Sequence, residues 1–159
     1  MTFRMGRTMP TPYVTIPGVT GAYSAYSALG SAFEIPSAVG NDGSFVAQMN
    51  IIDRATGMSG IRVHFFTQVP PAIADKSAFI IPSGQENSYL GYIDATAWSI
   101  LGVSGANTAY HSQNEDQHIS LYNNSGNSRS VWAQCQALNN MTFGGLNSAQ
   151  SIRLITMQD

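Results

Sequence analysis

Charged side chains are scarce in this sequence. They make up 10% of its 159 residues, whereas a typical soluble domain carries about 25%. Only one of them is a lysine, Lys76, and the formal net charge is −2. A protein that neutralises nucleic-acid phosphates needs clustered Lys and Arg side chains. We therefore expect no nucleic-acid partner, and we expect neutral polar residues or partner subunits to cover most of the surface.

Cysteine and long apolar runs are also missing, apart from the single Cys135. One cysteine can form neither an intrachain disulfide nor a cysteine zinc site. Cys135 alternates with Val131, Ala133 and Ala137, which predicts a small buried side chain on a strand. No apolar run reaches the ~18 residues of a membrane helix, and no apolar segment follows the early arginines as in a secretory signal. We expect no membrane partner.

The usual catalytic and nucleotide-binding signatures are absent as well. The chain has no G-x-G-x-x-G or P-loop pattern. The residues around Ser104, GVSGA, lack the last glycine of the nucleophile elbow G-x-S-x-G. Acids that a glycosidase could pair all lie in or beside turn-like segments, where acids are common: Asp53, Asp75, Glu86, Asp94, Glu115 and Asp116. The sequence therefore predicts no enzyme, no catalytic residue and no cofactor.

The densest group of possible metal ligands lies between His111 and His118 and includes Glu115 and Asp116. A metal ion needs several such groups to converge, and a loop between two strands could bring the two histidines together. The spacing matches no zinc or EF-hand signature, and a polar hairpin loop explains it without a metal. We predict no metal site, and an ion at this loop stays the open alternative.

The aromatic residues and His64 are candidates for a binding or catalytic role. Trp98, Trp132 and the tyrosines could form a sugar-stacking platform, but their scattering along the chain favours use in a core or a subunit interface. His64 alternates with Val63 and Phe65, so it faces the opposite side of its strand. We expect it to be a polar surface or interface residue rather than a catalytic base.

Residues 44–66 are the stretch around which the chain is organised. Phe45, Ala47, Met49 and Ile51 fall on every second position, and so do Ile61, Val63 and Phe65 after a polar, glycine-containing break. This is the period of a strand with one buried face. The break is too long for a two-residue turn, but its Asp, Thr and Gly suit a longer loop. The pattern predicts an antiparallel hairpin at the centre of a β-sandwich.

The remaining chain shows short alternating runs separated by turn residues. In residues 151–157, Ile152 and Leu154 are expected on one face, with Arg153 and Ile155 on the other. Many short strands with frequent turns and no sustained helical period predict an all-β fold, an antiparallel β-sandwich of the jelly-roll type, over residues 31–159. Besides the central pair, the predicted strands are 33–36, 78–81, 89–93, 95–103, 107–111, 117–122, 129–138, 141–143 and 151–157.

Residues 1–30 differ from the rest of the chain in proline content, charge and hydrophobic periodicity. They contain three prolines, and Arg4 and Arg7 are the only charged residues before Glu34. No period of 2 or 3.6 persists, because each proline removes a donor and biases the residue before it. The segment predicts an extended N-terminal arm, either a disordered leader or a strap that is buried against another subunit. Its apolar content favours the strap, since disordered tails are poor in aromatic residues.

Four segments, taken in order, carry a resemblance to a known group. They are IIDRATGMSGIRVHFFTQVPPAIADKSAF from residue 51, YLGYIDATAW from 89, SLYNNSGNSRSVWAQCQAL from 120 and SIRLITMQD from 151. In their order and spacing they resemble small jelly-roll-like proteins that are encoded with the capsid genes of tailed bacteriophages. The resemblance covers about residues 33–159 and involves mainly core and turn positions.

The resemblance implies a capsid cement or decoration protein on the exterior of the virion. Such a protein is a homo-oligomer, a dimer or trimer, that clamps neighbouring subunits of the major capsid protein. An arm that reaches a neighbour fits this role, and Arg4 and Arg7 would pair with capsid carboxylates. The expected partner-binding residues are Phe3, Arg4, Met5, Arg7, Met9 and Tyr13.

Two other functions stay open at this point. The first is a carbohydrate- or receptor-binding module of a tail or baseplate. The second is a small hydrolase that uses Ser104 or Glu115, which the motif search does not favour.

Overall fold

The protein is built from β-strands. The computed structural model describes residues 6–41, 43–53, 60–101, 108–114, 119–122, 129–143 and 150–158, and these ranges contain no helix. Their strands are β1 (Arg7–Pro10), β2 (Val14–Thr15), β3 (Gly21–Tyr23), β4 (Ala28–Ile35), β5 (Ser44–Asp53), β6 (Ile61–Phe66), β7 (Tyr89–Ala95), β8 (Ser99–Leu101), β9 (Thr108–Asn114), β10 (Ser120–Leu121), β11 (Val131–Ala137), β12 (Met141–Phe143) and β13 (Ser151–Gln158).

The strands form two main antiparallel sheets. The larger, seven-stranded sheet has the order β1-β13-β5-β9-β8, with β2 also paired to β13 and β10 to β5. The four-stranded sheet has the order β4-β11-β6-β7, and β3 pairs with β12 in a small third sheet. This arrangement confirms the predicted all-β antiparallel sandwich. The jelly-roll connectivity stays a prediction.

The core lies between the inner faces of the two sheets. In the larger sheet Ile152 and Leu154 are fully buried, and in the smaller sheet Val63, Phe65 and Cys135 are fully buried. All five belong to one apolar cluster. Burying one large apolar side chain stabilises a fold by about 1.5–3 kcal/mol. The predicted burial of Cys135 and the predicted inner face of residues 151–157 are both confirmed.

The predicted hairpin of residues 44–66 is wrong. β5 lies in the seven-stranded sheet between β13 and β9, whereas β6 lies in the four-stranded sheet between β11 and β7. The chain therefore crosses from one sheet to the other between these strands. Alternating apolar residues show only that each strand has one buried face, and two strands that face each other across a core give the same pattern as two neighbours.

The side chains of β5 do not alternate regularly along the whole strand. The sequence predicts that its odd-numbered apolar residues all lie on one buried face, and this is wrong for Phe45. The register with β13 skips Ala47, which is the extra residue of a β-bulge. After the bulge, Met49 and Ile51 point into the core as expected. Before it, Val46 is buried and Phe45 is 49% exposed. One inserted residue therefore turns Phe45 outward.

The N-terminal segment is part of the sandwich in the described residues 6–30, which corrects the prediction of a separate arm. β1 and β2 pair with β13 of the same chain, and β3 pairs with β12. Ile16, Val19 and Tyr23 are buried in the common core. The prolines interrupt the alternation, but Pro10 ends an edge strand, where a missing donor costs little. Short strands between prolines escape a period-based analysis.

A long segment, residues 67–88, connects β6 to β7. The predicted strand at 78–81 is reduced to one isolated bridge between Ala78 and Ser27. Lys76, which precedes this bridge, has a positive φ of 66° and lies in a turn. The segment is held instead by bonds to β4 and its neighbourhood, among them Lys76 N to Ala28 O at 2.9 Å and Phe79 N to Tyr26 O at 2.9 Å.

Candidate functional site

The expected partner-binding residues fall into two groups. Phe3, Arg4 and Met5 lie outside the described residues. Arg7 and Met9 lie on β1, at the edge of the seven-stranded sheet, and Tyr13 follows it. Arg7 and Tyr13 are exposed and Met9 is half-buried. These three residues therefore belong to a paired strand and the turn after it, and a role in partner binding stays a prediction.

The side of the seven-stranded sheet that points away from the core carries a row of apolar side chains. Met157 pairs with Thr8 on one side and with Phe45 on the other. Residues directly opposite each other on antiparallel strands project on the same face, about 4.5–5.5 Å apart at Cβ. Phe45 is 49% exposed and Met157 is 46% exposed. The sequence analysis missed this pair, because regular alternation places Phe45 in the core.

A second row lies beside the first. Ile155 pairs with Pro10 of β1 and with Gln48 of β5. Ile155 and Gln48 are half-buried and Pro10 is exposed. Together these two rows and Arg153 form what we call the outer face, which consists of Thr8, Pro10, Phe45, Gln48, Arg153, Ile155 and Met157.

Arg153 is the only charged residue on the outer face as defined here. Its guanidinium lies over the ring of Tyr13, with Cζ 4.7 Å from the ring centroid. Because of this cation–π contact, the side chain of Arg153 lies along the surface toward Tyr13. The outer face is thus neutral over its apolar rows, with one positive charge at its margin.

The opposite side of the molecule is different, because residues 67–88 lie against the outward side of the four-stranded sheet. The amide of Gln134 on β11 donates to the carbonyl of Ile73 at 3.2 Å. Phe79 stacks on the ring of His64, with centroids 4.1 Å apart and planes at 15°. This side of the sandwich is therefore largely covered by the chain itself.

His64 lies on the outward side of β6, as predicted, but it is buried beneath residues 67–88 and only 5% exposed. Its Nδ1 is 3.0 Å from the hydroxyl of Tyr89, and its Nε2 is 3.2 Å from Oε1 of Gln136. Since Oε1 can only accept, the Nε2–H donates to it and the Tyr89 hydroxyl donates to Nδ1. Desolvation by burial lowers the pKa of His64 to about 4; the hydrogen bond to Gln136 opposes this lowering, and the nearby positive charge of Arg62 adds to it. The imidazole is a neutral structural group.

The candidate carboxylates that the structure describes each serve a different local contact. Asp94 forms a bidentate ion pair with Arg62 at 2.7 and 2.8 Å. Asp75 accepts from the backbone N of Gly30 at 2.7 Å, and Glu86 accepts from the backbone N of Gly84 at 2.7 Å. Asp53 is fully buried and accepts from the amide of Gln150 at 2.9 Å. Glu115 and Asp116 lie outside the described residues.

Potential metal ligands do not cluster in the described ranges, where no group of three or more His, Cys, Asp or Glu residues could hold an ion. The backbone of His111 belongs to β9, whereas His118 lies outside those ranges. The thiol of Cys135 is fully buried, and burial raises its pKa to about 12. Cys135 is therefore a protonated core residue and not a nucleophile.

The aromatic residues are distributed over several parts of the surface. Trp98 and Trp132 are half-buried. Tyr92 is partly exposed, and Cζ of Arg62 lies 3.8 Å from its ring centroid. Tyr13 is covered in a similar way by Arg153. Both rings already have a cation on one face, which is a poor arrangement for stacking a sugar there.

No family model, no curated protein and no solved structure matches this chain. The described residues contain no helix that is long and apolar enough to cross a membrane.

Proposed function

We propose that this protein is a structural virion protein, a capsid cement or decoration protein of a tailed bacteriophage. It binds the outside of the assembled head as a homo-oligomer, a dimer or trimer, and it stabilises contacts between subunits of the major capsid protein. The observation that carries the proposal is the outer face, where Phe45 and Met157 are exposed side by side on an almost uncharged sheet surface.

The chemistry of the outer face suits a protein partner. Interface cores are depleted in charged residues and enriched in aromatic residues and Met, and exposed apolar patches often mark such interfaces. Isolated apolar side chains on a surface need no explanation, but here two adjacent rows contain Phe45, Pro10, Ile155 and Met157. A neutral protein surface could therefore pack on them without leaving a buried charge unpaired.

The outer face is also rigid before it binds. β13 is paired on both sides along its length, with β5 on one side and with β1 and β2 on the other. A surface on such strands loses little conformational freedom on association. A binder that recognises only the assembled lattice stabilises it by mass action, and many copies multiply the effect.

The mechanism differs from that of the arm expected from the sequence. Residues 6–30 fold within their own chain, so the proposed clamp is a preformed sheet face rather than a strap that becomes ordered on binding. Tyr13 borders this face beneath Arg153, whereas Arg7 and Met9 alternate with Thr8 and Pro10 and so project from the other side of β1. All three stay proposed contact residues. Phe3, Arg4 and Met5 directly precede β1 in the chain and are proposed to extend the same contact.

The test is binding to heads of the encoding phage that were assembled without this protein. Phe45→Asp and Met157→Asp place a carboxylate on the outer face, and we expect each to reduce occupancy at least tenfold in a sedimentation assay. Ile80→Asp is the matched control, because Ile80 is 69% exposed but lies in the segment over the other sheet. Equal occupancy for all three variants and the unchanged protein would contradict the proposal.

A further inference from the structure

A groove at one end of the sandwich brings together residues from distant parts of the chain. It has a volume of about 280 Å³ and is lined by Arg7, Met9, Gly40, Asn41, Arg129 and Gln158. Arg7 and Gln158 are cross-strand partners on β1 and β13. Asn41 lies in the turn before β5, and Arg129 lies two residues before β11. The groove therefore opens where the ends of the two sheets meet.

The walls of the groove are fixed by internal hydrogen bonds. Nη2 of Arg129 donates to Oδ1 of Asn41 at 2.7 Å, and the backbone N of Val39 donates to the carbonyl of Arg129 at 2.9 Å. The amide of Gln158 donates to the carbonyl of Ser37 at 3.1 Å and to the hydroxyl of Thr156 at 3.0 Å. Both sides of the groove are thus positioned before any ligand arrives.

Gly40 keeps the groove compact. A Cβ at this position would lie 2.9 Å from the carbonyl oxygen of Gly43 and 3.1 Å from Cβ of Gln158. Only glycine allows the turn to approach β13 this closely. The turn contains Asn41, which accepts a hydrogen bond from the guanidinium of Arg129 and so positions it.

The two arginines give the groove its chemistry. Both are exposed, and within the described ranges neither forms an ion pair. Arg129 uses one hydrogen bond on Asn41, and a guanidinium has five N–H donors. Arginine forks match the geometry of a carboxylate and bind it with charge-assisted hydrogen bonds. The volume is at the lower limit of ligand pockets, which start at about 300 Å³, so it suits one side chain.

We propose that this groove binds the carboxylate of an Asp or Glu side chain of the protein partner, with Arg7 and Arg129 as the two cations and Met9 against the methylene groups. The assignment of the partner rests on the proposed function. The sequence predicts that Arg7 meets capsid carboxylates, but it does not predict a role for Arg129, which is far from Arg7 in the chain.

The probe for the groove is N-acetyl-glutamate amide, which carries one side-chain carboxylate, and its uncharged counterpart is N-acetyl-glutamine amide. We expect saturable NMR shifts at Arg7, Arg129 and Gln158 with the glutamate probe at low salt, and none with the glutamine probe. Arg7→Gln and Arg129→Gln should each weaken binding at least tenfold. Lys76→Gln removes one positive charge from the exposed segment over the other sheet and should leave binding unchanged.

Three results would overturn this inference. They are the absence of saturable shifts in the unchanged protein, equal weakening by Lys76→Gln, and binding that appears only in Asp42→Asn or Asp159→Asn. The last result would mean that an acid of this chain occupies the arginines. If the probe binds but Arg129→Gln decorates heads at normal occupancy, the partner assignment fails while the proposed function stands on the outer face.

Discussion

His64 is a titratable side chain that the fold keeps neutral. Its ring is stacked on Phe79, and both nitrogens are engaged by Tyr89 and Gln136. Burial removes the water that would solvate a protonated ring, and this desolvation is the main cause of its lowered pKa. The positive Arg62 lies nearby and further disfavours protonation. The interior position of His64 therefore couples folding to pH.

We expect stability to fall as the pH drops from about 6.5 to 4. The folded pKa of His64 is about 4, below the ordinary 6.5, so between these values the unfolded chain binds a proton that the folded chain does not. The stabilisation is complete above pH 6.5 and decreases by about 3 kcal/mol on going to pH 4. Urea denaturation at several pH values measures this change.

The control for this prediction is His64→Gln, which cannot titrate. Its free energy of unfolding should depend less steeply on pH over the same interval, although it is lower at pH 7. Parallel pH profiles for the two proteins would show that another group causes the effect.

At the scale of a single strand, β5 shows how a bulge redirects side chains. Before Ala47 the buried residue is Val46, and after it the buried residues are Met49 and Ile51. The bulge supplies the outer face with Phe45, which regular alternation would bury. A bulge depends on the register with the neighbouring strand, and that information is not present in the strand's own sequence.

Substitutions at two neighbouring positions test whether β5 is bulged or regular at its start. Val46→Asp buries a carboxylate and should destabilise the fold by more than about 3 kcal/mol. Phe45→Asp changes an exposed position and should cost less than about 1 kcal/mol. Chemical denaturation of both variants measures the difference. The reverse order of the two costs would show that Phe45, and not Val46, faces the core.

The N-terminal strands are expected to contribute to the stability of the fold. Deletion of residues 1–20 removes β1 and β2 and takes Ile16 and Val19 out of the core. Each buried aliphatic side chain contributes about 1.5–3 kcal/mol, so we expect a loss of at least about 3 kcal/mol in the free energy of unfolding. Deletion of residues 1–5 is the control and should change stability little. An unaltered denaturation midpoint for the longer deletion would contradict the role of these strands in the sandwich.

The sequence predicts which side of a regular strand each residue faces, because this depends only on neighbouring residues in the same strand. The burial of Cys135, the inner face of β13 and the outward side of β6 at His64 all follow from a period of two. The pairing partners of β5 and β6 do not, because strand neighbours are set by contacts distant in sequence. The same holds for the candidate sites, since Phe45 with Met157 and Arg7 with Arg129 are brought together only by the sheet register and the meeting of sheet ends.

At the scale of the whole molecule, the two sides of the sandwich are unequal. Residues 67–88 cover Gln134 and His64 on the outward side of the four-stranded sheet, whereas Phe45 and Met157 on the outer face of the seven-stranded sheet are about half exposed. The outer face, where Phe45 and Met157 are exposed in one row, is the side on which we propose that the capsid packs. The low charge of the whole sequence fits a protein whose surface is shared with many neighbours.

The most direct measurement of this account is a cryo-electron microscopy reconstruction of the phage head that carries the protein. We predict density on the outside of the head in which β1, β5 and β13 face the capsid shell and residues 67–88 face away from it. Density located on the tail, or a sandwich attached to the shell through residues 67–88, would contradict the account.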